Sequence, residues 1–338
     1  VRNLITDVPG VLVGNAQDRR AATGVTVAIF EHSVTAGVIT LGGAPGSRAV
    51  TLLEPEMAGL ADAIVLSGGS IYGLDAAGGV TAVLRAQGKG AQFGGIAIPV
   101  AVQAILFDLR NGGEKDWLVG PEARQPPYWD LGRDAALAAA DTFELGSIGA
   151  GLGATTATAK GGLGSASART RQGFRVGALV AVNAVGAATF GSEGHFWAAP
   201  YEQGGEFGGR GWPTRFPAEA LALAMKGQSL PATATTIGMV ATDAQLTKAE
   251  CKRLAIMAND GLSKALRPVH APNDGDTVFA AATGRAGPGG DPPVLAELGT
   301  VAADCLARAV ARGVYEATAL PYKDALPDWK TRFGGARA

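Results

Sequence analysis

Ala232-Thr233-Ala234-Thr235-Thr236-Ile237-Gly238-Met239-Val240-Ala241-Thr242-Asp243 is a turn of small residues that runs into an apolar, β-branched strand. Such side chains fit a pleated, half-buried surface. Downstream, Thr247-Lys248-Ala249-Glu250 is a capping-box pattern. It predicts a helix with Leu254, Met257, Ala258, Gly261 and Leu262 on one face. Pro268 ends that helix, and Asn273-Asp274-Gly275-Asp276 turns into a second strand, Thr277-Val278-Phe279-Ala280-Ala281-Ala282. A last long helix is expected over 294–317. Upstream, residues 217–226 are expected to be helical.

The N-terminal half reads similarly. Residues 5–14 predict an extended segment with a Pro9-Gly10 turn. Residues 25–30 and 36–41 predict two paired strands joined by a short polar link. Ala63-Ile64-Val65-Leu66 predicts a buried strand leading into Ser67-Gly68-Gly69-Ser70 and a small-residue helix over 74–87. A strand is expected over 96–109, then a loop over 111–130 and a short alanine-rich helix from about Asp134. Residues 146–167 form a Gly/Ala/Thr/Ser tract with one lysine, Lys160. Two strands are expected across 174–190, with Asn183 between apolar neighbours. Residues 191–217, rich in glycine and aromatics, read as a long surface loop, a linker or lid. Helices and strands mix without strict alternation, which argues for layered α+β rather than a doubly wound sheet.

Composition narrows the function. With 338 residues, 47% of them hydrophobic, the chain can bury one large core. A net charge of −1 without charge runs gives no footing for nucleic acid or an anionic membrane. The apolar stretch 176–190 is shorter than the ~20 residues of a spanning helix, and Asn183 interrupts it. No leader segment is evident at the N-terminus. Cys251 and Cys305 form no CxxC and read as buried thiols of a reduced, cytoplasmic protein.

Common catalytic patterns fail. There is no G-x-S-x-G elbow and no HExxH. His32, His195 and His270 stand apart and read as structural or solvated. Gly149-Ala150-Gly151-Leu152-Gly153 lacks both the dinucleotide spacing and the lysine of a phosphate loop. Counting from Asp274, the twelfth residue is Arg285, so a calcium loop fails and an Asp-Gly turn remains. No pattern calls for a cofactor or a metal. Lys160, Asn183, the Asp274/Asp276 pair and Thr235 are unusual where they stand. Each also has a plain reading: a solvated lysine, a strand-end amide, a tight turn, a β-former.

Together the motifs resemble the DmpA-type aminopeptidases (L-aminopeptidase/D-esterase and β-peptidyl aminopeptidases), a family that includes the nylon-oligomer endo-hydrolase. The resemblance is carried in order by Thr6 to Gly14, Leu66-Ser67-Gly68-Gly69-Ser70-Ile71-Tyr72-Gly73 to Val80, Gly149 to Thr155 with Lys160-Gly161-Gly162, the Asn183 strand, the Thr235 strand, and Pro268-Val269-His270 to Phe279. It implies a four-layer αββα sandwich of the N-terminal-nucleophile type, shared with ornithine acetyltransferases. It also implies one catalytic domain, 1–338, that cuts itself into 1–234 and 235–338. Thr235 would then be the nucleophile and its freed α-amine the base. Asn183 would be the oxyanion donor, Lys160 a cation near the hydroxyl, and Asp274 and Asp276 the residues orienting the amine. Phe107 falls where relatives can carry a substrate-contacting tyrosine. The implied substrates are short peptides, amino-acid amides or 6-aminohexanoate (nylon) oligomers. The implied assembly is a homo-oligomer, often a tetramer of two-piece units.

Ala234 departs from the Asn or Gly that close relatives have before the nucleophile. Two readings stand. The alanine slows the cut and traps the precursor, or it marks an Ala-Thr cut of the kind ornithine acetyltransferases make. An acyltransferase and a non-catalytic scaffold are the alternative functions.

Overall fold

The structure is a computed structural model that describes residues 1–226 and 234–334. Ala232 and Thr233 of the small-residue turn lie outside the described residues. In chain order the strands are β1 (Val11–Asp18), β2 (Thr23–Thr40), β3 (Ser47–Arg48), β4 (Ala61–Ser67), β5 (Ala91–Phe93), β6 (Ile96–Ile98), β7 (Ala101–Ile105), β8 (Leu163–Arg169), β9 (Arg175–Asn183), β10 (Thr189–Phe190), β11 (His195–Phe196), β12 (Thr235–Thr242) and β13 (Thr277–Ala282). The helices are α1 (Ala76–Ala86), α2 (Tyr128–Leu137), α3 (Lys248–Ala265), α4 (Pro292–Tyr315) and α5 (Trp329–Phe333).

The hydrogen-bonded order is β3-β7-β4-β2-β13-β12-β9-β8, with β1 also on β2. The 18-residue β2 serves two sheets. Its first half pairs with β1 and β4, and its second half with β13. A register shift between Ile29 and Val34 marks the crossing. Residues 25–30 and 36–41 are therefore one strand rather than two. The polar link Glu31-His32-Ser33 is exposed and stays extended as the strand passes from one sheet to the other.

Side-chain alternation of period two sorts the strands into four layers. Val25, Val27, Ala63 and Val65 face outward onto Val80, Leu84, Tyr128 and Ala135 of α1 and α2. Ala28, Phe30, Ile64 and Leu66 face inward and meet Leu179, Ala181, Ile237, Met239 and Phe279 of the second sheet. Val180, Val182, Val240, Val278 and Ala280 face the other way, onto Leu254, Leu262, Leu306 and Val310 of α3 and α4. The result is the αββα sandwich. Thr247 caps α3, accepting from the Glu250 N–H while the Glu250 carboxylate accepts from the Thr247 N–H.

Several local expectations are corrected. Residues 5–14 hold a 3-10 turn (Ile5–Asp7) before β1. The 96–109 stretch is split by Pro99 into β6 and β7. Helix α2 starts at Tyr128 rather than near Asp134, because Tyr128 and Leu131 bury against α1. The 174–190 stretch is one long strand and a two-residue one, so Asn183 ends a strand. Residues 191–217 are not a free linker. Phe196 and Phe207 are buried against Trp329, and Glu206 is ion-paired with the buried Arg308 of α4. Residues 217–226 contain only a 3-10 turn, Ala218–Leu221. No described helix is long and apolar enough to cross a membrane.

Candidate active site

Thr235 opens β12 at the centre of the second sheet. It lies opposite Asn183 in the antiparallel ladder with β9, and β13 runs parallel on the other side. All eight residues of β12 are buried because helices and the first sheet cover its two faces. The Thr235 side chain donates to the carbonyl oxygen of Ala234. The Gly275 N–H donates to the same oxygen at 3.2 Å. Two hydrogen-bond donors thus converge on the carbonyl of the Ala234–Thr235 bond. Only glycine fits at 275, since a Cβ there would sit 2.6 Å from Thr235 Oγ1. We expect Gly275→Ala to displace that hydroxyl and slow cutting of the Ala234–Thr235 bond by about a hundredfold, as misplacement by an ångström can do. Intact-mass analysis over time checks this.

Asp276 is fully buried and fixed from three sides. Its Oδ1 accepts from the Thr236 N–H at 2.7 Å. Its Oδ2 accepts from the His270 N–H at 3.0 Å and from His270 Nδ1 at 2.9 Å. The Asn259 amide lies 2.9 Å from His270 Nε2, which assigns the proton to Nδ1 if that amide donates. Asp274 lies beside Asp276, and Gly275 N–H also bonds its Oδ1 at 3.0 Å. Burial, and then the neighbouring Asp276, raise the Asp274 pKa. The pair therefore tends to hold a proton.

A carboxyl with a raised folded-state pKa binds more protons folded than unfolded above its ordinary value of 3.8. Its contribution to stability accordingly falls as pH rises above that value. Asp274→Asn removes this loss. We expect a melting temperature higher than wild type by about 2–4 °C at pH 8, with a smaller gain at pH 5, and loss of hydrolysis. Thermal unfolding at both pH values checks the sign.

Asn183 is fully buried at the end of β9. Its Oδ1 accepts from Asn111 Nδ2 at 3.0 Å, the Thr155 N–H at 3.1 Å and Lys226 Nζ at 2.8 Å. Its Nδ2 donates to the Phe107 carbonyl at 2.8 Å. These partners fix which way the amide faces. One of its two N–H groups is used by Phe107, and the other has no partner among the described residues, which leaves it to serve a reacting oxygen. The backbone of Phe107, not its ring, is what reaches Asn183.

Lys160 is 1% exposed. Its ammonium donates to the carbonyls of Gly151, Ala154 and Gly161 at 2.8–2.9 Å. Burial, with a smaller push from Lys226, lowers its pKa to about 7. All three of its hydrogens go to backbone carbonyls, so none is left for a bond to Thr235. The Lys226 ammonium instead donates to Asn183, and its pKa is likewise brought by burial to about 7 against the pull of Asp274 and Asp108.

Behind the site, Asp108 is buried and accepts from Thr23 Oγ1 at 2.6 Å and the Gly69 N–H at 2.8 Å. Gly68 packs so tightly there that a Cβ would fall 2.1 Å from Asp108 Oδ2. The Ser67-Gly68-Gly69-Ser70 motif is thus a turn braced by a carboxyl.

The structure brings Thr235, Ala234, Asn183, Asp274 and Asp276 to one end of β12, while Lys160 sits in the adjoining loop. Sequence reasoning missed Gly275, His270, Asn111 and Lys226. Gly275 was visible between the two aspartates. Lys226 was assigned to a helix that does not form. Among the described residues, no group of three or more His, Cys, Asp or Glu side chains is placed to hold a metal ion. Both cysteines are buried and unpaired.

This αββα arrangement is the N-terminal-nucleophile hydrolase fold. A β-aminopeptidase of a Burkholderia species superposes with a TM-score of 0.69 at 23% identity, covering 100% of this chain and 96% of that one. The L-aminopeptidase D-Ala-esterase/amidase of Ochrobactrum anthropi, described as a variant of that fold, gives 0.66 at 20% identity over 98% and 94%. A model of peptidase family S58 matches residues 3–325, and the chain belongs to that family. An uncharacterized aminopeptidase of Mycobacterium tuberculosis is 39% identical over 99% of each chain. A 6-aminohexanoate-oligomer endohydrolase of a Kocuria species is 28% identical over 82% of this chain and 74% of that one. The protein is a hydrolase of peptide or amide bonds.

Proposed function

We propose that the chain matures by cutting its own Ala234–Thr235 bond and then hydrolyses amides with Thr235 as N-terminal nucleophile. The observation that carries this reading is the convergence of Thr235 Oγ1 and the Gly275 N–H on the Ala234 carbonyl. In the first step Oγ1 bonds to the Ala234 carbonyl carbon and the C–N bond breaks. The hydroxyl proton passes to the Thr235 nitrogen, and Gly275 N–H steadies the oxyanion. Water then hydrolyses the ester, leaving pieces 1–234 and 235–338.

The freed α-amine, whose unperturbed pKa is ~7.7–8.0, is partly neutral near pH 7 and takes the proton of Oγ1. Asp276, fixed by Thr236 and His270, orients the new terminus. The hydroxyl attacks the substrate carbonyl, Asn183 Nδ2 steadies its oxygen, and Lys160 favours the developing negative charge; the substrate C–N bond then breaks, and the leaving amine takes the proton held by the α-amine. Water releases the acyl group. The substrates are short peptides, amino-acid amides or 6-aminohexanoate oligomers, a range supported by the named relatives. The exposed Phe93, Ile96 and Ile98 of the β5–β6 hairpin support assembly of two-piece units into a homotetramer. The free thiols support a cytoplasmic setting.

Intact mass under denaturing conditions tests the reading. Two species meeting at Ala234/Thr235 are expected. A single full-length species that nonetheless hydrolyses amides at a normal rate would refute it.

A further inference from the structure

Lys226 has no place in the chemistry above, yet its ammonium is committed to the site. It lies eight residues before Ala234 in the chain. The segment that carries it runs along the surface at 221–223. Leu221 and Leu223 point to solvent, Arg267 donates to the Leu221 carbonyl at 3.0 Å, and the Lys226 N–H donates to the Val185 carbonyl at 2.9 Å. A lysine on such a segment ordinarily reaches for water. This one turns inward, with Nζ 2.8 Å from Asn183 Oδ1 and 3.4 Å from the Asn183 backbone carbonyl.

We propose that Lys226 is a positioning residue for the hydrolysis, holding and polarising the Asn183 amide through its Oδ1. The inference rests on Asn183 as oxyanion donor. A cation on the amide oxygen draws electron density from the nitrogen, so the free N–H becomes a stronger donor to the substrate's developing oxyanion. The Asn111 and Thr155 bonds set the direction of the amide, and Lys226 supplies the charge. Burial works against its charged form, and Asp274 and Asp108 lie near enough to favour it. Self-cutting uses the Gly275 N–H on the Ala234 oxygen, so it does not depend on Lys226.

The test uses full-length chains and two readouts: self-cutting by intact mass, and kcat and KM on alanine 4-nitroanilide. Lys226→Met is expected to cut itself at the wild-type rate, which reports a sound fold. Its kcat is expected to fall about tenfold to a hundredfold with KM within about threefold. Lys226→Arg restores most of the kcat. In an Asn183→Ala background the methionine change adds less than about twofold, as expected when one residue acts through the other. Arg267→Ala loosens the same segment without touching Asn183 and leaves kcat near wild type. A normal kcat in Lys226→Met beside a crippled Asn183→Ala overturns the proposal alone. So does an Arg267→Ala loss equal to the methionine loss, since the lysine would then be only a tether. Full turnover by Asn183→Ala, or a wild type that leaves both the anilide and a 6-aminohexanoate oligomer intact, refutes the underlying reading and this proposal with it.

Discussion

Thr235→Ala is expected to yield a single full-length chain with no measurable amide hydrolysis. In the proposed mechanism two functions vanish at once, because there the same hydroxyl opens the Ala234–Thr235 bond and attacks the substrate. Loss of a nucleophile in comparable hydrolases costs on the order of 10⁴–10⁶ in kcat, and here the base is lost too, since the amine is never freed. The fold should survive. Thr235 is buried, but alanine leaves only a small space at a strand end whose ladder is otherwise intact. Thr235→Ser keeps the hydroxyl and is expected to cut itself and turn over substrate. Mass analysis, melting and turnover of the two variants side by side separate chemistry from folding. Turnover by the alanine variant would end the assignment of Thr235.

Asn183→Ala carries the second large effect and splits the two reactions. Removing one oxyanion donor costs about 10²–10³ in kcat. The self-cut, which has Gly275 N–H at its own carbonyl, is expected to proceed. The variant therefore accumulates as two pieces that hydrolyse poorly. The change also strands the Thr155 N–H and takes one partner each from Lys226 and Asn111 Nδ2, so some stability is lost. A chain that stays uncut in this variant would place Asn183 in maturation instead.

Much of the fold was legible because period-two apolar runs mark strands wherever both faces are covered. Ile237, Met239 and Val240 read as strand for that reason, and Thr247 with Glu250 announced α3. The long β2 was misread because its exposed Glu31-His32-Ser33 looks like a turn, although a strand changing sheets needs no turn there. The 217–226 segment looked helical from alanine and leucine content, yet few contacts hold it to the body, and propensity alone rarely sustains so short a helix.

The site was harder. No local pattern places Asn183 across from Thr235, since that is a property of the ladder register. Resemblance supplied the residues, and the structure supplies their partners. Asp276 holds the Thr236 N–H, whereas Lys160 spends its hydrogens on loop carbonyls. His270 and Gly275 act through backbone and ring geometry, which single letters do not reveal.

The placement of β12 and β13 between β9 and β2 has a consequence for biosynthesis. The residues that build the site come from both ends of translation, with Lys160 and Asn183 early and Asp274 to Asp276 late. A nascent chain stopped before Asp274 has a sheet with a gap in its middle, and it lacks the Asp276 carboxylate for the Thr236 N–H and the Gly275 N–H for the Ala234 carbonyl. The proposed cut would therefore serve as a receipt for a completed fold. Once made, it would free neither piece, because the second is clamped on both sides by strands of the first.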